Sequence, residues 1–205
     1  MPASPRCIIV SNHPLGGLDG ITMIAWLSSH YGDRPVHFVV NDMLMAVEPL
    51  SDCFVPVNTH GAQNRRSAAT LDSVLQGDDP VVVYPAGLVS RLGDDGRIAD
   101  LPWRKMVVNK AIESRRDIVP VHFDGYNRRS FYRIARLRKK LGLKFNYEMV
   151  LLPREFVRCS DAVFTLTCGE PIPWQSFTGG SSAASEAATL RDIVYSLPSK
   201  YPKQK

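Results

Sequence analysis

The sequence predicts an α/β fold built on a mainly parallel sheet, and three observations carry that prediction. Short runs rich in Val, Ile and Phe alternate along the chain with longer stretches of helical spacing. Several of those runs are apolar at every position rather than at every second one, the pattern of strands covered by helices on both faces. A chain of 205 residues, 44% hydrophobic and 22% charged, has the length and balance of one globular domain that buries its core without disulfides or a structural metal. A single domain over residues 1–205 is therefore expected.

Taken in order, "CIIVS" at 7–11 is a continuous apolar run and reads as the first strand, followed by the glycine-relaxed loop "SNHPLGGLDG". "GITMIAWLSSHY" at 20–31 has helical spacing. "VHFVV" at 36–40 and "FVPV" at 54–57 read as buried strands, and "AQNRRSAATLDSVLQ" at 62–76 as a helix. "VVVYP" at 81–85 is the next strand and "PWRKMVVNKAIESRR" at 102–116 the next helix. "IVPVHF" at 118–123 and "VFTLTCG" at 163–169 complete the strands. "TGGSSAAS" at 178–185 is small and polar, a loop leading into the last helix, "SEAATLRDIVYSL" at 185–197. Residues 198–205 are expected to fray.

Composition narrows the function. Cys7, Cys53, Cys159 and Cys168 are far apart and lack the CxxC or Cys/His spacing that zinc needs, which fits a reducing compartment and predicts no metal. No window approaches the roughly 20 apolar residues of a spanning helix, and the N-terminus lacks the basic-then-apolar order of a signal peptide. The formal net charge of +5 favours an acidic partner. Between Tyr126 and Lys144 there are eight Arg or Lys residues and no Asp or Glu. On a helix, Arg129, Arg133, Arg136 and Lys140 share one face, while Phe131, Ile134, Leu137 and Leu141 fall on the broadly opposite side. Such a helix is either a packed apolar face with a solvated charged one, or a dock for an anionic bilayer or an acidic carrier protein. Nucleic acid is not expected as a partner, because the aromatics here stand singly and no binding motif accompanies them.

In open α/β sheets, sites collect where loops leave the carboxyl ends of strands. Four marked loops begin there: Asn12-His13 with Asp19, then "NTHGAQNRRS", then "PAGLVSR", and the loop after "IVPVHF". An imidazole is a competent general base near neutral pH, and a neighbouring carboxylate fixes its tautomer and stabilises the cation formed on proton uptake. His13 and Asp19 form such a dyad if Gly16 and Gly17 let the chain fold back. On the other reading His13 caps a turn and Asp19 caps the helix. Spacing alone leaves both open. Gly87 is equally a turn glycine or a close approach of backbone to ligand, and Arg91 either a solvated loop residue or a fork for a phosphate or carboxylate. Ser90 lacks the Gly-x-Ser-x-Gly elbow of a nucleophile. His30, His37, His60 and His122 have no metal-ligand spacing.

The order of these loops, Asn-His…Asp, an Arg-bearing segment, aromatic-Pro-x-Gly with Ser-Arg, then "IVPV", resembles the four sequence blocks of the glycerolipid acyltransferase family, from about Ile8 to Phe123. "NHPLGGLDG" and "YPAGLVSR" are most similar to its hemolysin-like, ornithine- or glycine-lipid-type subgroup, whose members acylate amino-acid lipids. The resemblance implies that His13 takes the proton of an acceptor hydroxyl that attacks an acyl thioester, and that Asp19 orients it. It places Asn12, Arg65 or Arg66, Gly87 and Arg91 against substrate, and it implies no cofactor beyond acyl carrier protein or CoA as co-substrate. Five residues separate His13 from Asp19 where the family usually has four, and Ala86 stands where a glutamate is thought to meet glycerol phosphate. The spacing is what the subgroup resemblance implies, and Ala86 argues against a glycerol phosphate acceptor, so the expected acceptor is an amino-acid lysolipid or a lysophospholipid. Family members usually carry apolar helices ahead of the first block, and here "MPASPR" alone precedes the strand. Either another surface attaches the protein to the membrane or an N-terminal segment is missing. The expected location is cytoplasmic, peripheral to the inner face of the membrane. The competing function is a catalytically degenerate protein that only binds lipid or an acyl carrier.

Overall fold

The computed structural model describes residues 1–32, 34–41, 52–57, 63–142, 152, 159 and 162–200. A six-stranded sheet is its frame. In chain order the elements are β1 (Cys7–Ser11), α1 (Gly17–Tyr31), β2 (His37–Asn41), β3 (Phe54–Val57), α2 (Gln63–Gln76), β4 (Val81–Val83), β5 (Arg91–Leu92), β6 (Ile98–Ala99), α3 (Met106–Ser114), β7 (Asp117–Asp124), α4 (Arg129–Lys140), β8 (Thr165–Cys168), a 3-10 turn (Trp174–Ser176) and α5 (Ala183–Lys200). The strands lie in the order β3-β2-β4-β1-β7-β8. All neighbours are parallel except β8, which runs antiparallel at the edge.

Burial explains the continuous apolar runs. Ile8, Val10, Val81, Val83 and Ile118 face one layer, where they pack with Leu71 and Leu75 of α2, Val107, Val108 and Ala111 of α3, and Ala187, Leu190 and Val194 of α5. Cys7, Ile9, Phe38, Val82, Val119 and Val121 face the other, against Met23 and Leu27 of α1. Alternate residues thus meet helices on both sides, and each fully buried aliphatic side chain contributes about 1.5–3 kcal/mol. The central position of β1 makes it the most enclosed strand, with all five residues buried.

Two expectations are corrected by the fold. The third helix starts four residues later than its pattern suggested, at Met106, and stops at Ser114, because Arg115 takes a left-handed conformation (φ 52°) and Arg116 turns into the interior. The last helix continues through Lys200, past the expected start of the frayed tail, and residues 201–205 lie outside the described residues. The short antiparallel pair β5–β6 is too brief to leave a periodic signal in the sequence.

Arg116 is fully buried, and the hydrogen bonds of its guanidinium go to main-chain carbonyls. It donates to the carbonyls of Leu75 (3.0 Å), Gly77 (2.6 Å), Asp79 (2.7 Å) and Cys7 (3.3 Å). It closes the carboxyl end of α2 and ties it to β1, placing a cation where the helix dipole is negative. Arg116→Met keeps the bulk but leaves several buried acceptors unpaired, at about 1–3 kcal/mol each. The expected outcome is a loss of at least about 3 kcal/mol, read as a lower denaturant midpoint with an unchanged slope.

Candidate active site

The sheet itself fixes where a site can form. From β1 the chain leaves through α1 toward β2 on one side, and from β4 it leaves through the hairpin and α3 toward β7 on the other. β1 and β4 are neighbours, so a crevice opens between their carboxyl ends, the switch point where ligands bind in open α/β sheets. His13 follows β1 and Tyr84 follows β4, and their rings stack there at 4.3 Å.

His13 Nδ1 lies 3.1 Å from Asp19 Oδ1, at hydrogen-bond distance though out of hydrogen-bond alignment. Contacts of this kind often tighten only when substrate is bound. Asp19 is fully buried on the first turn of α1, and its carboxylate also accepts from the main-chain N–H of Leu15 (3.0 Å) and of Gly20 (2.8 Å). One carboxylate thus closes the loop and faces the imidazole; it is not the cap of α1, which starts at Gly17 with Gly16 at the N-cap position and no side-chain cap hydrogen bond. The five-residue spacing is absorbed by Gly16, whose φ of 81° is the left-handed region and whose added Cβ would stand 2.8 Å from Leu152. Gly17 needs no such freedom and is simply the first residue of α1.

The rest of the loop is pinned residue by residue. Both ends of the Asn12 amide are engaged with the Phe123 main chain, at 2.9 Å from Nδ2 and 2.8 Å to Oδ1. Through this pair of hydrogen bonds Asn12 fastens β1 to β7. Asn127 Nδ2 donates to the Pro14 carbonyl at 3.0 Å. The His13 carbonyl accepts from Ser90 N at 2.8 Å, and the His13 N–H donates to Asp100 Oδ1 at 3.2 Å.

Burial drives the His13 imidazole toward its neutral form, but the Asp19 carboxylate, with a smaller push from Asp100, outweighs it and holds the pKa above the ordinary 6.5. Arg91 acts in the opposite sense on His13, and its guanidinium rests 5.4 Å over the Phe131 ring. Burial, then Asp19 and Asp100, hold the Tyr84 phenol well above its usual range, so it stays protonated. Beside the loop is a cavity of about 260 Å³, whose lining includes Asn12, Ser90, His122, Asp124 and Tyr195. Burial lowers the pKa of His122, which keeps it neutral. Among the described residues no cluster of His, Cys, Asp and Glu is arranged to hold a metal ion.

The sequence model of the acyltransferase family matches residues 1–200. The chain belongs to the acyltransferase family. It is 41% identical over 197 residues to a lyso-glycine lipid O-acyltransferase of Phocaeicola vulgatus, covering 96% of this chain and 70% of that one. It is 42% identical over 197 residues to the protein of the same name from Bacteroides thetaiotaomicron, covering 96% and 72%. The solved 1-acyl-sn-glycerophosphate acyltransferase of Thermotoga maritima shares the fold, with a TM-score of 0.53 at 12% identity over 97% of this chain and 68% of that one.

Within this acyltransferase, the other residues singled out from sequence are distributed as follows. Gly87 closes a turn by donating to the Tyr84 carbonyl at 2.9 Å, and its φ of 69° restricts the position to glycine. A Cβ there would come within 3.4 Å of the Arg104 guanidinium, a group the sequence did not single out. Arg65 and Arg66 lie on the first turn of α2, and their side chains are outside the described residues. Ala86 is buried in the core cluster that includes Val107, Val108 and Ala111 of α3. Arg129, Arg133, Arg136 and Lys140 are all exposed on α4, with Arg136 3.3 Å from Asp94. The apolar side of that helix is a correction. Phe131, Tyr132 and Ala135 are buried, whereas Ile134, Leu137 and Leu141 are 40%, 57% and 63% exposed. Tyr84 and Asp100 are residues of the site that sequence reasoning missed. Tyr84 carried a signal, as the aromatic before Pro-x-Gly; Asp100 carried none, since its partner His13 is 87 residues away.

The raised pKa has a sign that an assay reads. Below that value His13 is protonated and cannot take a proton, so kcat/KM for acyl transfer should climb with pH along a limb whose midpoint lies above 6.5. Asp19→Asn removes the largest upward contribution, and the midpoint should fall together with the rate. Initial rates between about pH 5 and 9 test this; an unshifted limb in the variant contradicts the dyad.

Proposed function

We propose that this acyltransferase moves a fatty acyl group from an acyl thioester to the hydroxyl of a lysolipid, with an amino-acid lysolipid of the glycine-lipid type as acceptor. The observation that carries the reading is the His13–Asp19 contact held at the switch point of an acyltransferase fold. With Nδ1 turned to Asp19, Nε2 is the nitrogen left for substrate. It takes the proton as the acceptor oxygen bonds to the thioester carbonyl carbon. The carbon–sulfur bond then breaks, and the departing thiolate recovers the proton from the imidazolium, leaving an ester and a free thiol. Asp19 stabilises the cation between those two steps. The burial of Ala86 in the core supports an acceptor other than glycerol phosphate, and the names of the two relatives support the glycine-lipid class. Acyl carrier protein or CoA serves as donor, and no resident cofactor takes part. The basic α4 complements either donor's negative charge.

The acceptor lies in a bilayer, and among the described residues no helix is long and apolar enough to cross one. We assign membrane contact to α4 acting at the inner face. Ile134, Leu137 and Leu141 form an exposed stripe at i, i+3 and i+7, bordered by Arg129, Arg133, Arg136 and Lys140. Apolar side chains set beside cations suit an interface of acyl chains and anionic headgroups, where each basic residue adds about 1 kcal/mol.

Two measurements decide these assignments. Labelled acyl thioester with lyso-glycine lipid should give the diacylated product, and His13→Ala should cut the rate on the order of 10² to 10⁴-fold while lipid binding persists. Binding without turnover in the unaltered protein would instead favour a lipid-binding role. In flotation assays the protein should rise with anionic but not neutral vesicles, and changing Arg129, Arg133, Arg136 and Lys140 to Gln should abolish flotation at modest salt. Equal flotation would exclude this face.

A further inference from the structure

We propose that Asp100 is a second positioning carboxylate for His13, one that fixes the main chain of the base without touching substrate. Asp100 stands in "IADLPW", just after β6, and nothing in its surroundings in sequence marks it. Its side chain is 4% exposed. Three donors converge on it: Ser90 Oγ at 2.6 Å and His13 N at 3.2 Å on Oδ1, and Trp103 Nε1 at 3.0 Å on Oδ2.

That set of partners dictates the residue type. A hydroxyl turned this way, a main-chain N–H and an indole N–H are all donors here, so the group between them must only accept. An ionised carboxylate meets that demand. An amide of the same shape would turn its own N–H groups toward Ser90 and His13 or toward Trp103, leaving buried donors facing each other.

The carboxylate is itself fixed in place. The Asp100 main-chain N–H donates to Tyr195 Oη at 2.8 Å, and its carbonyl accepts from Arg191 at 2.9 Å, both on α5. Because Ser90 N donates to the His13 carbonyl, the His13 peptide is held on both sides by one unit, Ser90 with Asp100. The direction in which the imidazole leaves the backbone is thus set by a segment outside the His…Asp loop. The negative charge adds to that of Asp19 in favouring imidazolium. It is in place before the reaction and need not reorganise when the proton arrives.

This inference rests on His13 being the base, and the experiment separates the two claims. Full-length Asp100→Asn, His13→Ala and the double variant are purified, their folding is checked by denaturant melts, and kcat, KM and the pH profile are measured. A misplacement of about 1 Å at a reacting group costs on the order of 10²-fold, so Asp100→Asn should lower kcat by a factor of that order with KM little changed. Its acidic limb should move to lower pH, which a merely structural contact would not cause. The double variant should be no slower than His13→Ala, since Asp100 acts only through His13. A folded Asp100→Asn protein with unaltered kcat and pH profile overturns the role of Asp100 and leaves the base intact. A further loss of equal factor in the double variant also overturns it. Full activity in His13→Ala removes the base and this proposal together. If Asp100→Asn does not fold, Ser90→Ala takes its place. It withdraws the competing hydroxyl from Oδ1, which should shift the limb upward; an unmoved limb overturns the proposal.

Discussion

The structure depends on how it disposes of one buried carboxylate. Asp19 is fully buried, and the groups that face its carboxylate are the Leu15 and Gly20 N–H groups and the His13 imidazole. Burying an unpaired carboxylate is prohibitive, so the loop must close tightly enough to supply those donors. That closure is why Gly16 is left-handed and why α1 begins where it does. The same constraint makes the imidazole part of the fold's electrostatic balance.

The sheet's layers were legible because they obey patterning. Continuous apolar runs found β1, β2, β3, β4 and β7 to within a few residues, since a strand covered on both faces has no polar positions to confuse the reading. Helix ends were less legible. Arg116 looked like the tail of a basic helix, and only the position of five main-chain carbonyls explains why it is buried instead. The face of α4 was misread for a related reason. Hydrophobic spacing shows which side chains share a stripe but not which stripe meets the core, and here the stripe with Phe131, Tyr132 and Ala135 won.

The site was legible in proportion to how local it is. His13 and Asp19 sit in one loop, and the order of the four blocks brought them forward together. Gly87 was visible as a glycine, although its reason, a left-handed turn under Arg104, was not. The clasp between the Asn12 amide and the Phe123 main chain left no trace in the motif, because its partner lies 111 residues away. Asp100 and Tyr84 owe their places to strands brought together by topology, and no window of sequence contains both them and His13.

The tethers of the first loop also bear on how the protein comes together. The partners that hold Asn12, His13 and Pro14 lie 111, 87 and 113 residues further along the chain. Closing contacts of that span costs chain entropy before any contact repays it, and folds rich in such contacts form slowly. During synthesis the loop is therefore made long before β7 and Asn127 exist to secure it. The tethers of the loop to Asp100, Phe123 and Asn127 therefore form only once the second half of the sheet has docked.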